Sequence, residues 1–289
     1  MLLQEHIPVG TKTTMKIGGS ARWYAELLTK ADAEEAQRFA REKNVPLIVL
    51  GGGANTVFAD GTIDALVVRI KADAVRIDGR NVVAEAGTIL ASLINTCAEH
   101  ELDLSALTGI PGTVGGALFG NAGQGPKGTW LDSFVTSVTA LVDGEWKTFS
   151  KDECDFRYRE SAFKQMPDVV LWETNLIFPS RPETKIKADI ERLIKRRFET
   201  QPHLKTAGSC FKAVGDGTPA WQLIEKAGLR GFKIGGVQVS EKHANFLLNV
   251  DKATFADVLA VTQKICEAVP QIEGIEMRLY GEDGKVVRS

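Results

Sequence analysis

GIPGTVGGALFGNAGQG, from Gly109 to Gly125, is the stretch on which the reading of the fold turns. Its glycines and small residues leave little side chain between the backbone and an approaching ligand. Glycine tolerates positive φ and lets successive backbone N–H groups converge on an anion. The stretch therefore reads as a phosphate cradle that spends no Lys or Arg. A second cluster, GGGAN from Gly51 to Asn55, follows the apolar run PLIVL at Pro46 to Leu50. Two glycine turns, each beside an apolar segment, suggest one dinucleotide held from two sides. Neither fits the single-turn fingerprint, which sets G-x-G-x-x-G between one strand and one helix with an acidic residue about 20 residues on. In GGGAN the glycines are consecutive and no amphipathic helix follows. The other reading is that both are ordinary tight turns.

Composition narrows the class. The 289 residues are 44% hydrophobic with a formal charge of −2, enough chain for two domains and a sizeable core. Basic and acidic residues, 35 and 37, nearly cancel. The densest basic run, KRR at Lys195 to Arg197, reads as a solvated helix face, so nucleic acid is not an expected partner. The start MLLQEHIPVGTK lacks a basic stretch followed by a long apolar core, and the chain has no run of 18 apolar residues, so a cytoplasmic protein without a membrane span is expected. Cys97, Cys154, Cys210 and Cys266 stand far apart, and His6, His100, His203 and His243 never fall four residues apart. Reduced thiols and no metal site are expected.

Periodicity outlines the elements. ADAEEAQRFAREK at Ala31 to Lys43 reads as a surface helix, followed by the PLIVL strand, the Gly51 turn and the strand ALVVRI at Ala65 to Ile70, a small βαβ-like unit. AVRI and NVVAEA flank the Asp78-Gly79 turn, TILASLINTCAEH has helical spacing, and VTSVTALVDGEWKTF is a hairpin about Asp143-Gly144. VVLWETNLIF at Val169 to Phe178 reads as a strand. ETKIKADIERLIKRRFE sets Ile186, Ile190, Leu193, Ile194 and Phe198 on one stripe and ends before Gln201-Pro202. Beyond it come a glycine-broken strand, the helix TPAWQLIEKAG, the strand NFLLNV, the helix TFADVLAVTQKICEAV and the strand GIEMRLY, a C-terminal α+β module of ordinary domain size.

Three stretches carry more polar chemistry than packing requires. In YRES, Tyr158 to Ser161, Arg159 is a candidate carboxylate clamp because its planar fork matches two oxygens, or else a surface arginine. In AGSCFK, Ala207 to Lys212, Ser209 offers a hydroxyl beside Gly208. On a regular strand Ser209 and Phe211 face one way and Cys210 the other, so only the serine or the thiol can line a site. A serine after glycine is equally a turn hydroxyl. GGVQVSEKHANF, Gly235 to Phe246, reads as a ligand-facing loop or a solvated connection. Glu276, between Ile275 and Met277 in a short strand, faces either outward or into a site.

Taken together, TTMKIGG at Thr13, PLIVLGGGAN at Pro46, GIPGTVGGALFGNAG at Gly109, FRYRESAFK at Phe156, AGSCFK at Ala207, KIGGVQVSEKHANFLLN at Lys233 and IEMRL at Ile275 resemble the UDP-N-acetylenolpyruvoylglucosamine reductase family of bacterial cell-wall synthesis, in its compact subtype. The resemblance spans nearly the whole chain. It implies an α+β architecture: a two-subdomain FAD-binding fold of the vanillyl-alcohol oxidase type plus a C-terminal substrate lobe. The matching divisions are residues 1–72, 73–202 and 203–289.

The resemblance further implies that FAD is held by Gly51, Gly52, Gly53, Ala54, Asn55 and Thr56 and by Gly109, Ile110, Pro111, Gly112, Gly115, Gly116, Ala117, Asn121, Ala122 and Gly123. NADPH is the implied reductant. UDP-N-acetylglucosamine enolpyruvate, the implied substrate, becomes UDP-N-acetylmuramate. Arg159 matches the arginine that binds and polarises the substrate carboxylate, Ser209 the proton donor and Glu276 the acidic partner. Tyr158, Lys212, Gln238, Glu241, Lys242, His243 and Asn245 become substrate-lobe candidates, in a monomer or weak oligomer. Departures from the family pattern fall at Ala54 and Thr56, where Ser and Leu are commoner, at Gln124 to Gly128 in GQGPKG, and at Ala213, where many members carry a polar or basic residue followed by Pro. Two other readings stand beside it. A flavin-dependent oxidase of the same fold would have no need of AGSCFK and VSEKHANF, and a non-catalytic flavin- or nucleotide-binding module would leave Arg159, Ser209 and Glu276 unexplained.

Overall fold

Strong local stop signals cut the chain into short strands and capped helices, and a computed structural model describes residues 1–124 and 128–287. Gly125, Pro126 and Lys127 of the divergent GQGPKG stretch lie outside the described residues. The strands of the first half are β1 (Gln4–Pro8), β2 (Ser20–Leu27), β3 (Leu47–Val49), β4 (Thr56–Phe58), β5 (Thr62–Ile70), β6 (Val75–Asp78) and β7 (Asn81–Glu85). Those of the second half are β8 (Val135–Val142), β9 (Glu145–Ser150), β10 (Val170–Ile177), β11 (Thr206–Ser209), β12 (Lys233–Ile234), β13 (Val237–Val239), β14 (Phe246–Asn249) and β15 (Arg278–Tyr280). The helices are α1 (Lys30–Lys43), α2 (Leu90–Glu99), α3 (Val114–Phe119), α4 (Glu183–Thr200), α5 (Ala220–Lys226) and α6 (Phe255–Ala268). This is the expected α+β mixture.

The chain divides into two units, each discontinuous in sequence: residues 1–3, 25–52 and 66–197 form the first, residues 4–24, 53–65 and 198–289 the second. Residues 1–72, expected as one block, are therefore shared between both.

The first unit is built on the antiparallel sheet β6-β7-β10-β8-β9. Its hairpins turn where expected, with Asp78 opposite Asn81 and Val142 opposite Glu145. The inward residues of β8 and β10 meet Leu90, Leu93, Ile94 and Cys97 of α2 and Ile186 and Ile190 of α4 in one core. Burying an aliphatic side chain contributes about 1.5–3 kcal/mol, so this cluster dominates the stability of the unit. Only the first half of the α4 stripe is used. Ile194 is 40% and Phe198 58% exposed, so the expected apolar stripe is buried only at its start. In the same unit β3 and β5 pair in parallel, Leu47 opposite Leu66. The chain travels between them through the Gly51 turn and β4, not through a helix. A capping box formed by Thr29 and Asp32 starts α1, and Asn44 in the left-handed region ends it.

In the second unit the antiparallel sheet β11-β14-β13-β12 carries α6, whose Val258, Val261 and Ile265 are buried. A Thr254–Asp257 capping box starts that helix. GGVQV is not the expected loop: Gly235 and Gly236 turn a short hairpin between β12 and β13, and only Ser240 to Asn245 connect onward to β14. The C-terminal module is not closed on itself either, because β15 pairs in parallel with β4, Leu279 opposite Val57, and Tyr280 stacks on Phe58 with ring centroids 5.4 Å apart.

Candidate functional site

In the first unit, two glycine turns meet backbone to backbone. A Cβ on Gly52 would lie 2.6 Å from Gly112 Cα, and one on Gly51 would lie 2.8 Å from Thr113 Oγ1. Leu90 N–H donates to Gly112 O at 3.0 Å and Gly115 N–H to Ala86 O at 2.9 Å, which strap the second turn to the end of β7 and the start of α2. Thr113 caps α3 by accepting from Gly116 N–H at 3.3 Å. Gly116 itself is exposed, and a Cβ there would meet only Thr113 Oγ1, at 3.6 Å. Packing within the unit does not require a glycine at that position. A bare, outward-facing backbone fits a ligand lying against it, so the residues present suit the dinucleotide expected there.

The expected cofactor residues divide by what their side chains do. Pro111 is exposed and Ile110 half-buried, whereas Ala117 is 6% exposed and belongs to the core. Ala122 packs against that core, and Gly123 is held beside Trp130 by an antiparallel bridge. Asn121, expected among the cofactor residues, is fully buried; it donates from Nδ2 to Arg157 O at 3.0 Å and accepts from Asp132 N–H at 3.2 Å. Its carboxamide is spent on protein.

That spending positions Arg159. Arg157 and Glu160 exchange both backbone hydrogen bonds at 3.0 Å, closing a two-residue turn with Tyr158 and Arg159 at its tip. Asn121 holds one foot of the turn; Ser161 holds the other by donating to Phe119 O at 2.8 Å. Arg159 adopts φ 58°, a left-handed conformation that for a long side chain costs about 1–3 kcal/mol and persists only where the surroundings over-determine it. Lys164 Nζ donates to Arg159 O at 2.5 Å, the Arg159 guanidinium lies 5.7 Å from the Tyr158 ring, and Tyr158 in turn lies 5.6 Å from Trp130. The KRR run needs a second correction. Lys195 and Arg196 are exposed, but Arg197 is half-buried and its Nη1 donates to Gly109 O at 2.5 Å. Burial, then the Arg159 charge, holds Arg197 below the usual arginine value. Both arginines thus belong to one cationic region of this unit.

The second unit assembles Ser209 and Glu276 on neighbouring segments. Glu276 N–H donates to Cys210 O at 2.7 Å and Lys212 N–H to Gly274 O at 3.2 Å, with Phe211 opposite Ile275. Glu276 precedes β15 instead of lying within it. Gly208, at φ 79°, shifts the register between Thr206 and Ser209, so the simple alternation expected for AGSCFK fails. Ser209 is half-buried beside Phe246, while Cys210 and Phe211 are 0% and 2% exposed. Burial pushes the Cys210 thiol up to about 12, and nearby Glu276 adds to the shift, so the thiol stays protonated at neutral pH.

The end of the first glycine turn also reaches this place. Asn55 Nδ2 donates to Glu276 O at 2.9 Å and Arg278 N–H to Asn55 O at 2.9 Å, so the side chain of this expected cofactor residue holds the Glu276 segment. Thr14, which sequence reasoning left without a role, donates its N–H to Gly53 O at 3.0 Å and sets its hydroxyl 2.6 Å from Thr206 O. Its only signal was its place in TTMKIGG.

Of the substrate-lobe candidates, Glu241 and Lys242 are exposed, Lys212 is half-buried, and Gln238 donates to Gly231 O at 3.2 Å. His243 accepts Asn245 N–H on Nδ1 at 3.3 Å and packs 4.8 Å from the Phe246 ring. Burial lowers its pKa, one backbone hydrogen bond opposes, and the Arg230 charge lowers it further, so the neutral imidazole is favoured. Asn245, expected on the substrate, is 6% exposed with both ends of its carboxamide on Phe211. Among the described residues, no group of three or more His, Cys, Asp or Glu could hold a metal ion and no helix is long and apolar enough to cross a membrane.

Comparison with known proteins covers the same segments. A family model described as "FAD binding domain" matches residues 22–150, and one described as "UDP-N-acetylenolpyruvoylglucosamine reductase, C-terminal domain" matches residues 201–279. The UDP-N-acetylenolpyruvoylglucosamine reductase of Lactiplantibacillus plantarum is 37% identical over 279 residues, 94% of this chain and 91% of the relative. That of Moorella thermoacetica is 37% identical over 94% of this chain and 90% of its own. The crystal structure of the Thermus caldophilus UDP-N-acetylenolpyruvylglucosamine reductase superimposes with a TM-score of 0.84 at 28% identity, covering 96% of this chain and 99% of that one.

Proposed function

The chain belongs to the UDP-N-acetylenolpyruvoylglucosamine reductase family of FAD-binding oxidoreductases, and on that premise we propose that it uses NADPH to reduce UDP-N-acetylglucosamine enolpyruvate to UDP-N-acetylmuramate in the cytoplasm, as a monomer or weak oligomer. The backbones of Gly51, Gly52, Gly112 and Gly116 would hold the cofactor. Bound there, FAD would supply two-electron redox chemistry between NADPH and the enolpyruvyl group.

Arg159 takes the substrate carboxylate in its planar fork. Its charge favours the negative charge that develops on the carboxylate and the adjacent carbon. Preorganised donors of this kind contribute roughly 10²–10³ in rate. The turn that carries Arg159 is pinned at both feet, so the backbone from which the guanidinium reaches is fixed before substrate arrives. Ser209 gives its hydroxyl proton to the adjacent carbon. A serine is a feeble acid, but the carbanion-like acceptor is far more basic, and positioned acids contribute about 10²–10⁴. Glu276 is the acidic partner.

The observation that supports the reading most directly is the placement of Arg159 at the tip of a turn that Asn121 and Ser161 hold at both feet. Ser209→Ala tests the reading. It is expected to leave flavin bleaching by NADPH nearly intact and to slow substrate-driven recovery about 10²-fold or more. Equal loss in both half-reactions would remove Ser209 as the proton donor. Arg159→Lys is expected to lose substrate-driven recovery as well, since an ammonium cannot replace a bidentate fork.

A further inference from the structure

We propose that Asn245 is a positioning residue, whose carboxamide replaces a missing strand rung and thereby sets Ser209 relative to the Glu276 segment. The inference rests on Ser209 acting as the proton donor.

The β11–β14 ladder pairs Thr206 with Leu248 and Ser209 with Phe246, and beyond Ser209 its regular pairing stops. The chain nevertheless continues as if paired. Cys210 N–H donates to Asn245 O at 2.8 Å, Phe211 N–H to Asn245 Oδ1 at 2.9 Å, and Asn245 Nδ2 to Phe211 O at 2.9 Å. One side chain satisfies both backbone groups of Phe211. The opposite edge is backbone, through Glu276 N–H to Cys210 O and Lys212 N–H to Gly274 O. Residues 210–212 therefore run between the Asn245 carboxamide and the Glu276 segment, with Ser209 immediately before them.

The chemistry selects asparagine. The position needs one donor and one acceptor side by side, and an ionised aspartate offers two acceptors, one of which would face the Phe211 carbonyl. Water cannot substitute, because Phe211 and Asn245 are 2% and 6% exposed. Orphaning both groups displaces the segment, and a misplacement of about 1 Å at a reacting group costs on the order of 10²-fold in rate.

Holoenzyme carrying Asn245→Ala or Asn245→Asp is tested beside Ser209→Ala, with anaerobic NADPH bleaching and substrate-driven recovery timed separately. Asn245→Ala is expected to slow recovery about 10-fold or more, with bleaching and FAD content unchanged. Asn245→Asp keeps the shape and adds a pH readout. Its recovery is expected to be slow at pH 8 and to approach the wild-type rate as pH falls, because the protonated acid restores a donor opposite the Phe211 carbonyl. Rates are taken as ratios to wild type at each pH, so that His243, Arg230, Cys210, Lys212 and Glu276, the titratable groups around Asn245, cancel. If the alanine variant fails to fold, the pH profile of the aspartate variant decides alone. Wild-type recovery in the Asn245 variants with slow recovery in Ser209→Ala overturns the inference. So does a parallel loss of both half-reactions, or an aspartate profile without recovery at low pH. Wild-type recovery in Ser209→Ala overturns the proton-donor reading instead.

Discussion

The glycine turns of the first unit and the Ser209–Glu276 region of the second are built by opposite means. The first is shaped by side chains that are absent: a Cβ on Gly52 would lie 2.6 Å from Gly112 Cα, and Gly116 leaves its outer face exposed. In the second, carboxamides do the work, Asn245 along Phe211 and Asn55 on the Glu276 carbonyl. A surface that receives an anionic dinucleotide needs exposed N–H groups. A region that places a hydroxyl and a carboxylate needs its backbone immobilised.

The contrast is broken most sharply by adding a methyl group to the first region. Gly52→Ala puts a Cβ 2.6 Å from backbone that cannot yield, and overpacking of this kind costs about 1–3 kcal/mol, so the apoprotein is expected to melt earlier and to bind FAD about 10-fold or more weakly. Gly116→Ala makes only an ordinary contact, 3.6 Å from Thr113 Oγ1, and removes a glycine within α3, so the apoprotein is expected to gain up to about 1 kcal/mol while FAD still weakens. Stability and affinity moving in opposite directions would mark Gly116 as a contact surface. Affinity unchanged in a fluorescence titration would remove it from the cofactor site.

A smaller effect is expected from Asn55→Ala. It frees the Glu276 carbonyl, worth about 1 kcal/mol at a half-buried site, so substrate-driven recovery should slow several-fold while FAD titration shows little change. The reverse pattern would return Asn55 to the cofactor side of the comparison.

The smallest effect is protonic. The folded state holds the His243 pKa below its ordinary 6.5, so below pH 6.5 the unfolded chain binds more protons and stability falls as pH falls. Chemical denaturation should show a loss of at most about 1 kcal/mol between pH 6.5 and 5.5 that disappears in His243→Gln. A loss that persists in that variant would assign the slope to another group.

Much of this was legible locally. The Asp78-Gly79 and Asp143-Gly144 hairpins and the α1 and α6 helices each carry their signal within a few residues, and glycine clusters advertise a backbone surface without reference to the fold. What the sequence conceals is the partner of a polar group. The resemblance names Asn121 and Asn55 for the cofactor and Asn245 for the substrate, but a carboxamide serves a ligand and a backbone rung equally well, and only the fold brings Arg157, Phe211 and Glu276 to them. Arg197 was read as solvated for a similar reason, since its acceptor is the distant Gly109 carbonyl. The β4–β15 pair joins segments far apart in the chain, Thr56–Phe58 and Arg278–Tyr280, beyond the reach of any periodicity. The short β12–β13 hairpin has too few residues to show alternation.

The most direct test of the account is an anaerobic visible spectrum of the purified protein, recorded before and after NADPH and again after UDP-N-acetylglucosamine enolpyruvate. The account predicts an oxidised flavin spectrum that bleaches with NADPH and returns with substrate. A colourless protein that takes up no FAD, or a flavin that bleaches and stays bleached when substrate is added, would contradict it.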